Sequence, residues 1–247
     1  MKNLVVIPTY DESSNIEAIV KADLAIAPDI EVLVVDDNSP DGTGALVDDL
    51  IASGKFGPRL HIIHRPDKMG LGTAYVQGFK WGLERDFDIF ISQDADFSHN
   101  PEYICDMLRY AENGVDVVIG SRYVKGGGVV NWGTGRRIIS RCGSTYARIL
   151  LMMKIRDMTG GYNLYTRRAL ETMNLDTVMS KGYAFQIEMK WRCAIAKLRV
   201  VETPIIFKDW RFGLSKMNRR IFIEAMWRVF YMAVHRRKIG KQLRNSS

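Results

Sequence analysis

Two carboxylates, Asp94 and Asp96, stand one residue apart at the end of the apolar run FDIFI. On an extended chain, residues two apart project to the same face, about 6.5 Å between Cα atoms. Such a pair repels unless positive charge lies between. A hard divalent cation, Mg2+ or Mn2+, removes the repulsion, because it takes oxygen ligands and is commonly held by one or two carboxylates plus substrate phosphates. A diphosphate ligand would complete that shell. The competing reading is structural, with Asp96 capping the helix that begins near Pro101 and Asp94 in a salt bridge. A second acidic cluster, VVDDNSPDG, closes another apolar run. A strand-end carboxylate there accepts hydrogen bonds from ribose hydroxyls or a base edge, yet Asn, Ser, Pro, Asp and Gly also build a plain capped turn. In KMGLGTAYVQG, Tyr75 stands where a dinucleotide fingerprint needs glycine, and P-loop spacing is absent, so a tight helix start is the expected role.

The elements that must position these residues follow a regular rhythm. The runs LVVIP, EVLVVDD, RLHIIHR, FDIFISQDAD and VDVVIGSRY alternate with SSNIEAIVKADLAIA, TGALVDDLIAS, GTAYVQGFKWGLER and PEYICDMLRYAEN. Continuous Val/Ile runs fit strands buried on both faces, and the βα alternation predicts a mostly parallel sheet flanked by helices. Ser13 and Ser14 are placed to cap the first helix, and Pro101 suits the first turn of another. Ligands of open α/β sheets bind beyond the carboxyl ends of the strands, where Thr9–Glu12, Asp36–Asn38, Asp94 and Asp96, and Ser121 and Arg122 gather. After Tyr123 the rhythm breaks. The Gly-rich VKGGGVVNWGTG leads into a basic amphipathic helix over RRIISRCGSTYARILLMMKI. LRVVETPIIF predicts two short strands, and the tail from Met217 predicts a helix and a polar end.

The chain has 247 residues, enough for one large α/β domain. Its net charge of +7 favours anionic partners. Three cysteines in no paired motif argue against a disulfide framework or zinc site. His61 and His64 read as strand-end residues. No apolar stretch of about 18 residues is present, so no spanning helix is expected, and MKNLVVIPTYDE lacks the features of a signal peptide. No nucleic-acid recognition module appears, and the basic residues cluster beside apolar ones, so no nucleic-acid partner is expected.

VIPTYDESSNI, VLVVDDNSPDGT, GLGTAY, DADFSH, GSRY, TGGY, SKGYAFQIEM and FGLSKM occur in that order. Together they resemble family 2 glycosyltransferases of the GT-A fold, in particular the dolichyl- or polyprenyl-phosphate β-mannosyltransferases, over about residues 4 to 217. The resemblance implies a GT-A catalytic domain over 1–216, including an acceptor loop and interface helix near 124–156, and a basic amphipathic C-terminal helix and tail over 217–247. It implies inverting, metal-dependent transfer of mannose from GDP-mannose to dolichyl or polyprenyl phosphate, with Mg2+ or Mn2+ as cofactor. Pro8, Tyr10 and Glu12 would line the nucleotide pocket, with Val35 and Asp37 at the guanosine end. Asp94, Ala95 and Asp96 would hold metal, diphosphate and mannose, with Ser98 in a further ligand position. Arg122 would face the donor phosphates, and Lys181, Arg211 and Lys216 would add positive charge. Arg136 and Ser140, four apart on one helix face, would take the lipid phosphate. The sequence departs from the family at Trp210, where Arg is common, at Asn163, where Arg is frequent, and at Ser98, where some relatives carry Gln.

A long apolar acceptor requires contact with a bilayer. The helix at 136–155 and the one beginning near 219 interleave Arg and Lys with Ile, Phe, Trp, Leu and Met, as interfacial helices do; either apolar face could equally be core. A membrane surface and a peripheral position on the cytoplasmic face of a membrane are therefore expected, with a membrane-embedded partner subunit as the alternative contact for the second helix. Glu188 in FQIEM is the nearest candidate for a base, if the acceptor were a hydroxyl; a cap or salt bridge is the other role for it. Transfer from UDP-glucose and an inactive nucleotide-sugar-binding subunit are the alternative functions.

Overall fold

The computed structural model describes residues 1–208, 219–236 and 239–240. Trp210, Arg211 and Lys216, expected near the donor, lie outside the described residues.

The first half forms the expected units: β1 (Asn3–Thr9), α1 (Ile16–Leu24), β2 (Ile30–Asp36), α2 (Thr43–Ala52), β3 (Leu60–His64), α3 (Leu71–Leu83), β4 (Ile89–Ser92), α4 (Tyr103–Glu112) and β5 (Val117–Ser121). Then come β6 (Gly128–Val130), α5 (Thr134–Leu150), β7 (Asn163–Thr166), α6 (Arg167–Thr172), α7 (Ala184–Ile195), β8 (Val200–Pro204), β9 (Ile206–Lys208) and α8 (Arg219–Val234). Seven strands make one sheet in the order β3-β2-β1-β4-β7-β5-β8, and β6 pairs with β9 in a small second sheet. All pairs in the large sheet are parallel except those of β7, which runs antiparallel to both β4 and β5. The short run NLYT carries no sign of that reversal, and it was not anticipated.

Burial on both faces accounts for the unbroken apolar runs. Leu4 and Val6 of β1 pack with Leu33, Val35 and Phe90 under α3 and α7. Their alternates Val5 and Ile7 pack with Val32, Val34 and Ile91 under α1, α2 and α4, as the pleat requires. Two start signals resolve differently from the sequence expectation. Asn15, not Ser13 or Ser14, is the N-cap of α1 and makes no side-chain capping bond; the Ser13 amide instead donates to Asp41 Oδ2 at 2.9 Å. Pro101 precedes the N-cap Glu102 of α4, whose amide is taken by Asn100 Oδ1 at 3.2 Å.

α8 packs against α5 and α7, burying Val229 and Met232 in the core beside Ala147 and Leu151. Its opposite side leaves Trp227 68% exposed, stacked on Phe230. The Tyr146 hydroxyl of α5 donates to the Met226 carbonyl at 3.3 Å, tying the two helices side by side. Ile138, Ile139 and Ile149 of α5 are also exposed. No helix among the described residues is long and apolar enough to cross a membrane.

Candidate functional site

The site begins where parallel strands end. Val6 pairs with Ser92 as the last rung between β1 and β4, whereas β1 continues beside β2 to Thr9 opposite Asp36. The chain leaving β4 therefore departs at a step in the sheet edge, and Gln93–Asn100 fills it.

The VVDDNSPDG cluster divides its labour. Asp36 is a turn residue, accepting from Thr9 Oγ1 at 2.8 Å and from the Ser39 amide at 3.0 Å. Asp41 accepts from the Ser13 and Thr43 amides; these bonds and those of the hydroxyls, acting against burial, pull its carboxyl down to about 2. Asp37 is buried and salt-bridged to buried Arg65 at 2.6 Å. Burial raises its carboxyl above the ordinary value, against Arg65 and the Gly70 and Met69 amides. Arg65 also donates to Thr73 Oγ1 at 2.6 Å, so Asp37 fixes the 65–73 loop. That loop places Lys68 Nζ 3.5 Å from the Tyr10 ring. Pro8 is half-buried and Val35 buried behind them, while the Glu12 amide donates to Thr43 Oγ1 at 3.0 Å.

The Gly-x-Gly segment starts α3, as expected, and also admits a neighbour. Gly70 has φ +101, and a Cβ there would lie 2.8 Å from the Lys181 carbonyl oxygen. The Gly72 amide donates to that oxygen at 2.7 Å. The Lys181 loop thus lies directly on the start of α3, with the Lys181 side chain exposed. The Tyr75 hydroxyl, reaching from α3, donates to the Gln93 carbonyl at 3.1 Å and lies 3.5 Å from Asp94 Oδ1.

Asp94 and Asp96 occupy the step. Asp94 has a side chain 40% exposed. Its backbone amide donates to His99 Nδ1 at 3.3 Å, so His99 is a neutral acceptor there; burial pushes that imidazole down to about 4. Asp96 Oδ1 takes the Ser98 amide at 3.1 Å, capping a turn rather than α4. Ala95 and Ser98 are buried, and Ser98 Oγ has no hydrogen-bond partner. Among the described residues no group of three or more His, Cys, Asp or Glu side chains gathers to hold a metal. Two hard carboxylates with solvent access, beside an orphaned hydroxyl, nevertheless suit Mg2+ or Mn2+ whose remaining ligands come from a diphosphate.

The antiparallel β7 brings a second wall to this point. Ser92 pairs with Asn163, so Gly160 and Gly161 fall beside the end of β4. A Cβ on Gly161 would lie 3.6 Å from Gln186 Nε2, 3.7 Å from the His99 ring and 3.8 Å from Asp94 Oδ2. Gln186 is buried, accepts from Asn163 Nδ2 through Oε1 at 3.0 Å, and has no partner for Nε2. Asn163, at the position where the family often carries Arg, is itself buried in this network.

Arg122 does not stand open at the strand end. Its Nε and Nη2 form a fork on Asp157 at 2.7 Å each, and Nη2 also donates to Thr159 Oγ1 at 2.9 Å. Both residues are buried. Burial opposes ionisation of Asp157, but Arg122 outweighs it and holds the carboxyl well below the carboxylate range. Buried Lys190 of α7 donates to the Gly160 carbonyl at 2.6 Å, and burial pushes its ammonium down to about 8. Glu188 takes the structural role: it accepts from the Met179 and Ser180 amides and pairs with Arg192 at 2.8 Å, fully buried. On α5, Arg136 lies 4.4 Å from the Trp132 ring, and Ser140 Oγ accepts from the Tyr123 hydroxyl at 2.8 Å. The half-exposed Tyr183 hydroxyl is raised chiefly by burial and also feels Asp94, Arg136 and Asp96.

Sequence reasoning passed over Gln186, His99, Gly161, Asp157 and Lys190. GYAFQIEM, DADFSH and TGGY marked Gln186, His99 and Gly161 as parts of motifs, but nothing local marked Asp157 or Lys190.

A family model described as glycosyl transferase family 2 matches residues 4–173. The chain is 46% identical over 228 residues to the polyprenol monophosphomannose synthase of Mycolicibacterium smegmatis, covering 92% of this chain and 85% of that one. It is 45% identical over 226 residues to the undecaprenyl-phosphate mannosyltransferase of Micrococcus luteus, covering 92% and 91%. Among solved structures, glucosyl-3-phosphoglycerate synthase from Mycobacterium tuberculosis with Mn2+ and UDP-glucose superposes with a TM-score of 0.65 at 17% identity, over 96% of this chain and 79% of that one. That likeness is one of fold, the GT-A arrangement. The chain belongs to glycosyl transferase family 2, and its resemblance to polyprenyl-phosphate mannosyltransferases extends over nearly its whole length.

Proposed function

We propose that this chain transfers mannose from GDP-mannose to a polyprenyl phosphate, with inversion and with a divalent cation, while resting peripherally on the cytoplasmic face of a membrane. The observation that carries the proposal is the Asp94–Asp96 pair at the sheet step, flanked by the Asp37 loop on one side and the Gly161–Gln186 cradle on the other. The names and extent of the two mannosyl-transferring relatives support the choice of sugar and acceptor.

In this reading the guanosine lies along Pro8, Tyr10 and Glu12, with its base toward Val35 and Asp37. The Lys68 ammonium on Tyr10 sets that ring's position. Asp94 and Asp96 would hold Mg2+ or Mn2+ with the Ser98 hydroxyl nearby; the cation would neutralise charge growing on the departing diphosphate. Arg122, held in one pose by Asp157, adds fixed positive charge beside the same phosphates, and a preorganised charge costs no rearrangement during the reaction. Lys181, Arg211 and Lys216 contribute the rest. Gln186 Nε2, buried without a partner, is a donor ready for a sugar hydroxyl at the Gly161 cradle.

Arg136 and Ser140 receive the acceptor phosphate. A phosphate monoester has its second pKa near about 6 and is mostly dianionic at neutral pH, so no base is needed to activate it. The commitment of Glu188 to Arg192 and two backbone amides fits that economy. One acceptor oxygen bonds to the anomeric carbon as the bond to the diphosphate oxygen breaks, and the electron pair leaves with GDP. A single displacement turns the α-linked donor into a β-linked product. The exposed Trp227, Phe230, Ile138 and Ile149 on α5 and α8 form the surface that meets the bilayer.

The test is transfer of label from GDP-mannose to polyprenyl phosphate with Mg2+ or Mn2+, read as radioactivity extracted into organic solvent. Label from UDP-glucose with none from GDP-mannose would overturn the donor; dependence on neither cation would overturn the role of the acid pair.

A further inference from the structure

α5 carries a second basic feature, distinct from the side bearing Arg136 and Ser140. Arg141 and Arg148 are seven residues apart, about two turns, and so share a face. Together with Arg156, Thr145 and Tyr123 they line a cleft of about 270 Å3. Among the described residues no carboxylate forms an ion pair with any of these three guanidinium groups. The contrast with Arg122, clamped by Asp157, is chemical. The Glu202 carboxylate accepts the Arg156 amide at 2.9 Å but pairs with none of the three guanidinium groups, and three planar forks around one cleft with no carboxylate paired to them are complementary to a phosphoryl group.

Tyr123 separates this cleft from the transfer centre. It lines the cleft, while its hydroxyl donates to Ser140 on the other side. An anion beside Arg141 and Arg148 is therefore not the acceptor phosphate assigned to Arg136 and Ser140. The neighbouring surface indicates what the anion is attached to. Ile138 stands one turn before Arg141, and Ile149 one turn after Thr145, with exposures of 57% and 69%. Met152, 78% exposed, lies between Arg148 and Arg156 in the chain. A free phosphate would satisfy the arginines and leave this apolar strip in water; a phosphate carrying acyl chains satisfies both.

We propose that the cleft binds the phosphodiester headgroup of an anionic membrane phospholipid, with Ile138, Ile149 and Met152 against its acyl chains. The proposal rests on the membrane contact argued above and adds a defined lipid site to it. The site orients α5 on the bilayer so that the opening at Arg136 and Ser140 faces the membrane.

The test measures binding of the full chain, without any sugar donor, to vesicles of phosphatidylcholine alone and of phosphatidylcholine with phosphatidylglycerol. A basic side chain near an anionic surface contributes about fivefold in binding, so the three together contribute about a hundredfold. Arg141→Gln/Arg148→Gln/Arg156→Gln should lose about that much preference for phosphatidylglycerol. Its unfolding temperature and its turnover on a short-chain acceptor in detergent should stay as they were. The single changes Arg141→Gln and Arg156→Gln, each expected to lose about fivefold, keep the question decidable if the triple variant does not fold. Arg85→Gln/Arg109→Gln/Lys197→Gln, which removes equal charge elsewhere, should keep the preference. An equal loss in that control would mean general surface charge and overturn the site. Loss of detergent turnover in the cleft variants would assign the arginines to the acceptor and overturn it too. So would protection against unfolding by inorganic phosphate in the unaltered chain without any vesicle preference. Because no donor is present, failure of the GDP-mannose assignment leaves this result unaffected.

Discussion

Replacing Asp157 by Asn tests the buried clamp behind the site. Asp157 accepts four hydrogen bonds: Arg122 Nε and Nη2 at 2.7 Å each, the Arg122 amide at 3.0 Å and the Gly160 amide at 2.9 Å. Asparagine keeps the shape but turns an NH2 toward a guanidinium and leaves that cation buried without its anion. Breaking one partner of a buried pair costs about 3–5 kcal/mol. For a chain of this size each kcal/mol moves the unfolding midpoint by about 2–4 °C, so Asp157→Asn should lower it by about 6–20 °C. Calorimetry at neutral pH reads this directly. The charge sign adds a second readout. A carboxyl held below its unfolded value contributes stability above about pH 4 and loses it as pH falls through the folded value. The gap between parent and variant should therefore shrink in acid. Adding Arg122→Met to Asp157→Leu removes both charges and should recover much of the loss. An Asp157→Asn protein that unfolds at the parent's temperature would refute the clamp.

Four further outcomes follow from the same geometry. Asp96→Ala should cut transfer about a hundred- to thousandfold with little change in unfolding, since the half-buried side chain spends one bond on the Ser98 amide; activity within tenfold of the parent would count against it. Gln186→Glu keeps an acceptor for Asn163 but removes the orphaned donor, and kcat/KM for the sugar donor should fall about tenfold or more; an unchanged value would remove Gln186 from sugar recognition. Burial raises the Asp23 carboxyl to about 8, with Gln93 opposing. Stability is therefore full below about pH 4 and falls as pH rises toward 8, and Asp23→Asn should gain roughly 3 kcal/mol on the parent between pH 5 and 7; a pH-independent difference in urea titrations would refute this. Gly72→Ala would set a Cβ 2.5 Å from the Ser180 carbonyl oxygen, costing about 1–3 kcal/mol and shifting the Lys181 loop, whereas Gly133→Ala meets nothing within 4 Å and should be neutral.

The βα rhythm through β5, α5, the β8 and β9 strands and α8 were all legible in the sequence. Continuous Val/Ile runs and turn chemistry carry that information locally. The direction of β7 was not, because a four-residue buried run has the same pattern whichever way it travels. The acid pair could be placed at a strand end from its spacing with the run before it. Its surroundings were less legible. In QIEMKWR polar and apolar residues alternate, a pattern that marks no single face of a helix, yet Gln186, Glu188, Lys190 and Arg192 are all buried. Three of them are satisfied by groups that no local pattern marks: Glu188 by the Met179 and Ser180 amides, Lys190 by the Gly160 carbonyl, and Arg192 by the Met173 carbonyl and Thr177, whereas Gln186 keeps Nε2 without a partner. Arg122 showed a similar gap. Its place in GSRY suggested an open guanidinium, but Asp157, 35 residues on, engages two of its nitrogens.

The strand order has a consequence for synthesis on the ribosome. β4 and β5 emerge early, but the strand that belongs between them, Asn163–Thr166, follows Ser121 by roughly forty residues. Until it arrives, the nascent chain presents β4 with a bare, apolar outer edge, and β5 has neither of its companions. Unpaired apolar edges recruit other chains. Translation that stalls within the intervening helix should therefore yield a product that clumps, whereas a chain released past Thr166 can close the gap.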